Sequence, residues 1–140
     1  MVRGWATWAG WMFWAPALAG EPRWVRAEPA MTGGTVDVAA FLDTLDASAG
    51  LLLQCYEREL RLRPDLTAKV LLKVVVAPDG RVVSAGGSGL GGAADLCLPS
   101  ALRRIRFPPT PAGAQVTVVV PSVFTTAEGP VVVDAKKKAR

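Results

Sequence analysis

Cys55 and Cys97 are the only cysteines in the chain. A bond between them restricts the possible folds more than any other feature, because it closes a loop of about 42 residues and needs both positions on adjoining elements. Whether it forms depends on the compartment, and the first nineteen residues bear on that. Arg3 gives a positive start, Gly4 to Trp14 is uncharged and tryptophan-rich, Pro16 interrupts any helix, and Ala17-Leu18-Ala19 is a small-x-small site ahead of Gly20. A bilayer span takes roughly 20 apolar residues, and this run is shorter and ends on a helix breaker. Residues 1–19 are therefore expected to be a cleaved secretion signal. The alternative is an uncleaved inner-membrane anchor, since Trp5, Trp8, Trp11 and Trp14 suit a membrane interface. No cysteine lies near the site, so a lipidated amino terminus is not expected. Export puts the mature chain in the periplasm, an oxidising space where two lone thiols become one disulfide. The competing reading is two buried free thiols acting as small hydrophobes.

Without residues 1–19, about 121 residues remain, enough for one domain with a real core. The whole chain carries a formal charge of +4. Setting aside Arg3 and the terminal Lys136, Lys137, Lys138 and Arg140 leaves 11 basic and 12 acidic side chains. Basicity thus reads as a property of the tail, not of a binding face, which argues against nucleic-acid binding.

Residues 20–40 mix Pro, Gly and charge without a period and read as a linker. From Phe41 the pattern changes: Phe41, Leu45, Ala49, Leu52, Tyr56 and Leu60 form a helical apolar stripe that Leu51 and Leu53 widen, with Glu57, Arg58, Glu59 and Arg61 solvated. Pro64 ends that helix. Val70 to Val76 is β-branched and reads as a strand, with Val70, Leu72, Val74 and Val76 on its core face and Lys69 and Lys73 on the other. Ala77-Pro78-Asp79-Gly80 is a tight turn, after which Arg81-Val82-Val83 returns antiparallel as a hairpin.

Gly86 to Gly92 reads as a flexible loop. A second helix is expected over about 94–106, buried through Leu98, Ala101, Leu102 and Ile105, with Arg103, Arg104 and Arg106 outward and Pro99 tolerable in its first turn. Phe107-Pro108-Pro109 stops it. Val116 to Val120 is a third strand, and Pro121 suggests that it ends as an edge. Pro130 to Val133 is either a further short strand or a sticky segment.

Little here supports chemistry. The chain has no histidine, so a thiol has no imidazole base, and no nucleophile triad or metal set assembles. Gly87-Ser88-Gly89-Leu90-Gly91-Gly92 matches GxGxxG formally, but it follows a hairpin strand and no acid lies about 20 residues on, so a connector is the better reading. Asp43 and Asp46 sit at helix-start positions, Asp79 in a turn, and Asp95 as an N-cap. Glu57 and Glu59, two apart, do not face each other. The Lys136–Arg140 run reads as a solvated, disordered end, the alternative being a grip for an anionic lipid, envelope polymer or nucleic acid.

The order helix–strand–strand–helix–strand carries Cys55-Tyr56 in its first helix, Arg63-Pro64 after it, and Pro78-Asp79-Gly80-Arg81-Val82 at the hairpin. Cys97 follows in the second helix, then Ala101-Leu102, and Phe107-Pro108 before the last strand. Over about residues 52–124 this resembles the TonB C-terminal domain, and more closely the cysteine-bearing AgmX/PglI C-terminal domain of myxobacterial envelope proteins. The resemblance implies an α+β fold, two helices packed on one face of a three-stranded antiparallel sheet, with neither catalytic residues nor a cofactor. The organisation expected is signal 1–19, linker 20–40, domain 41–126 and basic flexible tail 127–140. The function implied is docking of an envelope protein partner, in TonB-like proteins an outer-membrane one, by strand addition at the sheet edge. That edge corresponds here to the last strand, including Gln115, Val116, Thr117, Val118, Val119 and Val120. A spacer of about 20 residues reaches at most roughly 70 Å, short for transmitting force across the envelope. The alternative from another class is an envelope polymer-binding protein that uses its basic tail.

Overall fold

The computed structural model describes residues 20–111 and 113–133, so the leader and the Lys136–Arg140 run lie outside the described residues. Among the described residues, three helices pack on an antiparallel sheet in an α+β arrangement. In chain order the elements are β1 (Arg23–Arg26), β2 (Ala30–Thr32), α1 (Val38–Ala47), α2 (Ala49–Leu60), β3 (Ala68–Val76), β4 (Val82–Ser88), α3 (Ala94–Leu102) and β5 (Val116–Thr125). The strand order is β1-β5-β3-β4, with β2 also paired to β5.

Strand periodicity explains the core. Val70, Leu72, Val74 and Val76 of β3 are buried, as are Val116, Val118, Val120 and Phe124 of β5, and they meet Leu52, Tyr56, Leu98 and Leu102 of the helices in one cluster. Lys69, Leu71 and Lys73 point to the other face and are exposed. Both aromatic pairs lie in the cluster: Phe41 stacks on Phe107 with centroids 4.3 Å apart, and Tyr56 tilts against Phe124 at 5.4 Å. The Pro78–Asp79 turn forms as the sequence predicts. The Gly80 amide donates to the Ala77 carbonyl (2.8 Å) at φ +95, and a Cβ at Gly80 would lie 1.9 Å from the Phe107 carbonyl oxygen. Only glycine fits there.

Five expectations need correction. Residues 20–40 are not a linker: Arg23–Arg26 pairs with Ser122–Thr125 and Ala30–Thr32 with Thr117–Val119. These strands are too short to show a period, and they exist because β5 offers them a partner. The first expected helix is two, bent by 48°. Thr44 and Ser48 hydroxyls donate back to the Ala40 (2.9 Å) and Thr44 (3.1 Å) carbonyls, a pattern that bends helices. The second expected helix ends at Leu102, and Pro99 lies in its second turn. Gly86-Gly87-Ser88 belongs to β4, not to a loop.

The fifth correction concerns Pro121, which does not end β5. Ala27 donates to its carbonyl at 2.9 Å, so its backbone faces β1 and β2, and the missing donor falls where the chain leaves β1 at Glu28-Pro29. The ladder to β3 keeps all its donors. Pro130–Val133 forms no strand.

Candidate functional site

Cys55 of α2 and Cys97 of α3 lie at disulfide-bond distance, with Sγ–Sγ 2.00 Å and Cα–Cα 5.6 Å. Cys55 lies on the buried face of α2 beside Leu52 and Tyr56, and Cys97 is half-buried in α3 next to Leu98, which together with Leu102 holds that helix in the core. The sequence thus placed both thiols correctly on neighbouring helices.

The glycine segment after β4 is wound tightly, not free. Gly89, Gly91 and Gly92 take positive φ, and Leu90 between them is 1% exposed. Its anchors are two carboxylates. Asp95 accepts from the Gly89 (3.2 Å) and Gly91 (3.0 Å) amides, so it ties down the loop and is not the N-cap, a place taken by Ala93. Glu59, expected in solvent, is 4% exposed. It pairs with Arg63 (2.9 Å) and accepts from the Ala94 amide (3.2 Å), while Arg63 also donates to the Leu90 carbonyl (2.6 Å). A Cβ on Gly92 would sit 3.0 Å from the Glu59 carboxylate, so the glycine makes room for it. The amides that a phosphate loop would offer are occupied by the chain's own acids. The Glu59–Arg63 spacing of four was the sequence signal for this anchor.

The Arg63 hydrogen bond, followed by the Ala94 amide, holds the Glu59 carboxyl below the usual glutamate range against the opposing effect of burial. A carboxylate whose folded pKa is depressed stabilises the fold in full above its unfolded value, about 4.3 for glutamate, and loses that contribution as pH falls through the folded value. Glu59→Gln is expected to lower stability at neutral pH, with the gap from wild type closing in acid, in urea titrations at a series of pH values. A constant gap at every pH means that charge plays no part.

The expected docking residues are not on a free edge. Gln115 precedes β5, and Val116 to Val120 pair with Val76 to Leu72 of β3. On the other side Thr117, Val118 and Val119 pair with Thr32, Met31 and Ala30 of β2. Arg26 fastens this cover by a forked ion pair to Asp46 of α1, at 2.8 and 2.7 Å. That hydrogen bond also holds the Asp46 carboxyl below its ordinary value.

The open edge of this sheet beside α3 is β4, which pairs with β3 alone. Ala77 donates to Arg81 at 2.8 Å on the β4 side, so Val75, Lys73 and Leu71 turn their backbone groups toward Ser84, Gly86 and Ser88. Ala85 and Gly87, between those, turn theirs outward. β4 contains no proline and no charge, whereas the β1–β2 edge carries Arg23 and Arg26 and breaks at Pro29. Val83, at a bulge in β4, is 47% exposed.

At the start of β4 lies a cleft of about 260 Å³ lined by Arg81, Val82, Arg103, Arg104, Ile105 and Arg106. A bridge between Arg81 and Arg106 and a hydrogen bond from the Phe107 amide to Gly80 (3.0 Å) bring these arginines together. Arg81 pairs with Asp79 at 3.1 Å, and the Arg81 amide and side chain hold the Asp79 carboxyl below its usual range. Among the described residues, no ion pair engages Arg103, Arg104 or Arg106. Basicity is therefore gathered on the folded domain as well as in the tail. Charge counting along the chain missed this, because Arg81 is distant in sequence from the other three. No group of three or more metal-ligating side chains occurs among the described residues.

No family model, curated protein or solved structure matches this chain.

Proposed function

We propose that this chain is a non-enzymatic protein–protein interaction module of the cell envelope, related to the TonB C-terminal and AgmX/PglI C-terminal domains, that binds an extended segment of a partner by strand addition along β4. The observation that carries the reading is the unpaired stretch of β4 from Ser84 to Ser88. Natural sheet edges are blunted by lysine, proline, bulges or a covering element; beyond the bulge at Val83 this stretch has neither lysine nor proline, and only β3 pairs with it among the described residues. The outward Ala85 and Gly87 backbone groups supply the hydrogen bonds that such docking uses. Helices against an antiparallel sheet and a cysteine pair bridging two helices support the family reading, although this sheet has β1 and β2 in addition to the three strands expected. The leader pattern and the cysteine pair support the periplasm. A chain without histidine supports a role without catalysis.

Two substitutions test the edge. Ala85→Pro removes an outward N–H without touching the β3 ladder, and Val83→Lys places a guard at an exposed position. Both are expected to abolish capture of the partner that wild type takes from envelope extract, with Val83→Lys keeping the wild-type Tm. Amide exchange at Ala85 and Gly87 should slow about tenfold or more in the wild-type complex. Retention of the same partner by folded Val83→Lys, with no added protection at those amides, sinks the proposal.

A further inference from the structure

The geometry points to an acidic partner: we infer that the segment added to β4 is antiparallel to it and carries aspartate or glutamate immediately after its strand. This rests on the β4 docking reading and names the chemistry of what docks. β4 runs from Val82 to Ser88, and every pairing in the sheet is antiparallel. An antiparallel guest therefore ends, in its own chain direction, beside Val82. There the outer edge is taken by the chain's own Ile105–Phe107 segment through the Arg81–Arg106 bridge and the Phe107–Gly80 hydrogen bond. The guest cannot continue as a strand past that point. It turns out at the cleft that Val82 itself lines together with Arg81, Arg103, Arg104 and Arg106.

Those four guanidiniums exceed what the fold requires of them. Arg103 and Arg104 follow the last turn of α3, where a cation complements the helix dipole, but Arg81 and Arg106 lie outside the helix. Asp79 is the one carboxylate paired with any of them among the described residues. Guanidinium forks match carboxylates with two parallel hydrogen bonds, and a row of them selects for acidic side chains while repelling basic ones. Continuity between cleft and edge selects a peptide over a free anion.

The test is selection of a random peptide library on the immobilised full chain, followed by affinity measurement of the best synthetic peptide by fluorescence anisotropy. Selected sequences are expected to alternate apolar and polar residues and then carry Asp or Glu on the carboxyl-terminal side. Affinity should fall about tenfold or more in Arg103→Gln/Arg104→Gln/Arg106→Gln and should weaken with added salt. Val83→Lys should lose the same peptide with the arginines intact. Strand-like peptides with no acidic bias, bound equally by the arginine variant, overturn this inference and leave the docking reading standing. Acidic peptides indifferent to Val83→Lys overturn the docking reading, and the inference with it. Binding of phosphatidylglycerol vesicles that the arginine variant loses, with no peptide selected, overturns both in favour of a lipid surface.

Discussion

Replacing Cys55 and Cys97 together by alanine is expected to lower unfolding free energy by about 4 kcal/mol in the chain-entropy account, because a closed loop of about 42 residues is released in the unfolded chain. Domains of this kind are typically stable by only about 5–15 kcal/mol, so the loss removes a large share of the total. Denaturant titration of wild type and the double variant measures it directly. Wild type unfolded in the presence of a reductant should move to the variant's midpoint, while the variant should not respond. Equal midpoints for oxidised wild type and variant, with the thiols of wild type titrating as free, mean that the pair is not joined in the native protein. The bond also ties α2 to α3, and it is α3 whose carboxyl-terminal end leads into the arginine cleft. Loss of the staple should therefore loosen the position of Arg103 and Arg104 before it unfolds the sheet.

Phe41→Ala should be comparably severe, at about 3–5 kcal/mol, the usual range for deleting a buried phenylalanine ring. Phe41 is fully buried and stacks on Phe107, joining α1 to the segment that leaves α3 and hands Phe107 to Gly80. Removing the ring opens a cavity at the junction of three chain segments distant in sequence, which leaves little chance of collapse around it. Thermal and denaturant unfolding give the size of the effect. Phe41→Leu keeps most of the volume and should recover more than half of it. If alanine costs under about 1 kcal/mol, the site relaxes far more than its close packing implies.

Much of the architecture was legible in order of residues alone, and the reason differs by element. The stripe from Phe41 to Leu60 and the alternation from Val70 to Val76 report burial through periodicity, and all four predicted core residues of β3 are buried. The turn at Pro78–Gly80 follows from backbone chemistry that needs no distant partner, whereas α3 stops at Leu102, well before the Phe107-Pro108 expected to end it. β1 and β2, at four and three residues, have no period to read, and pairing with β5 creates them. Because that pairing is invisible in the sequence, the last strand reads there as an edge, whereas both sides of β5 are filled. Glu59 looked like one more solvated charge on α2, and only the arrival of Gly92 and the α3 amino terminus buries it.

From sequence alone came the apolar helical stripes, the hairpin, the inward faces and the cysteine pairing, since the first three depend on neighbours within a few turns of chain and the last on there being two cysteines on elements expected to share one face. Tertiary structure alone decided which strand is left unpaired and where the arginines gather. Both are set by contacts between residues far apart in the chain, Ala30 with Val119 and Arg81 with Arg106 among them, and no local pattern encodes such meetings.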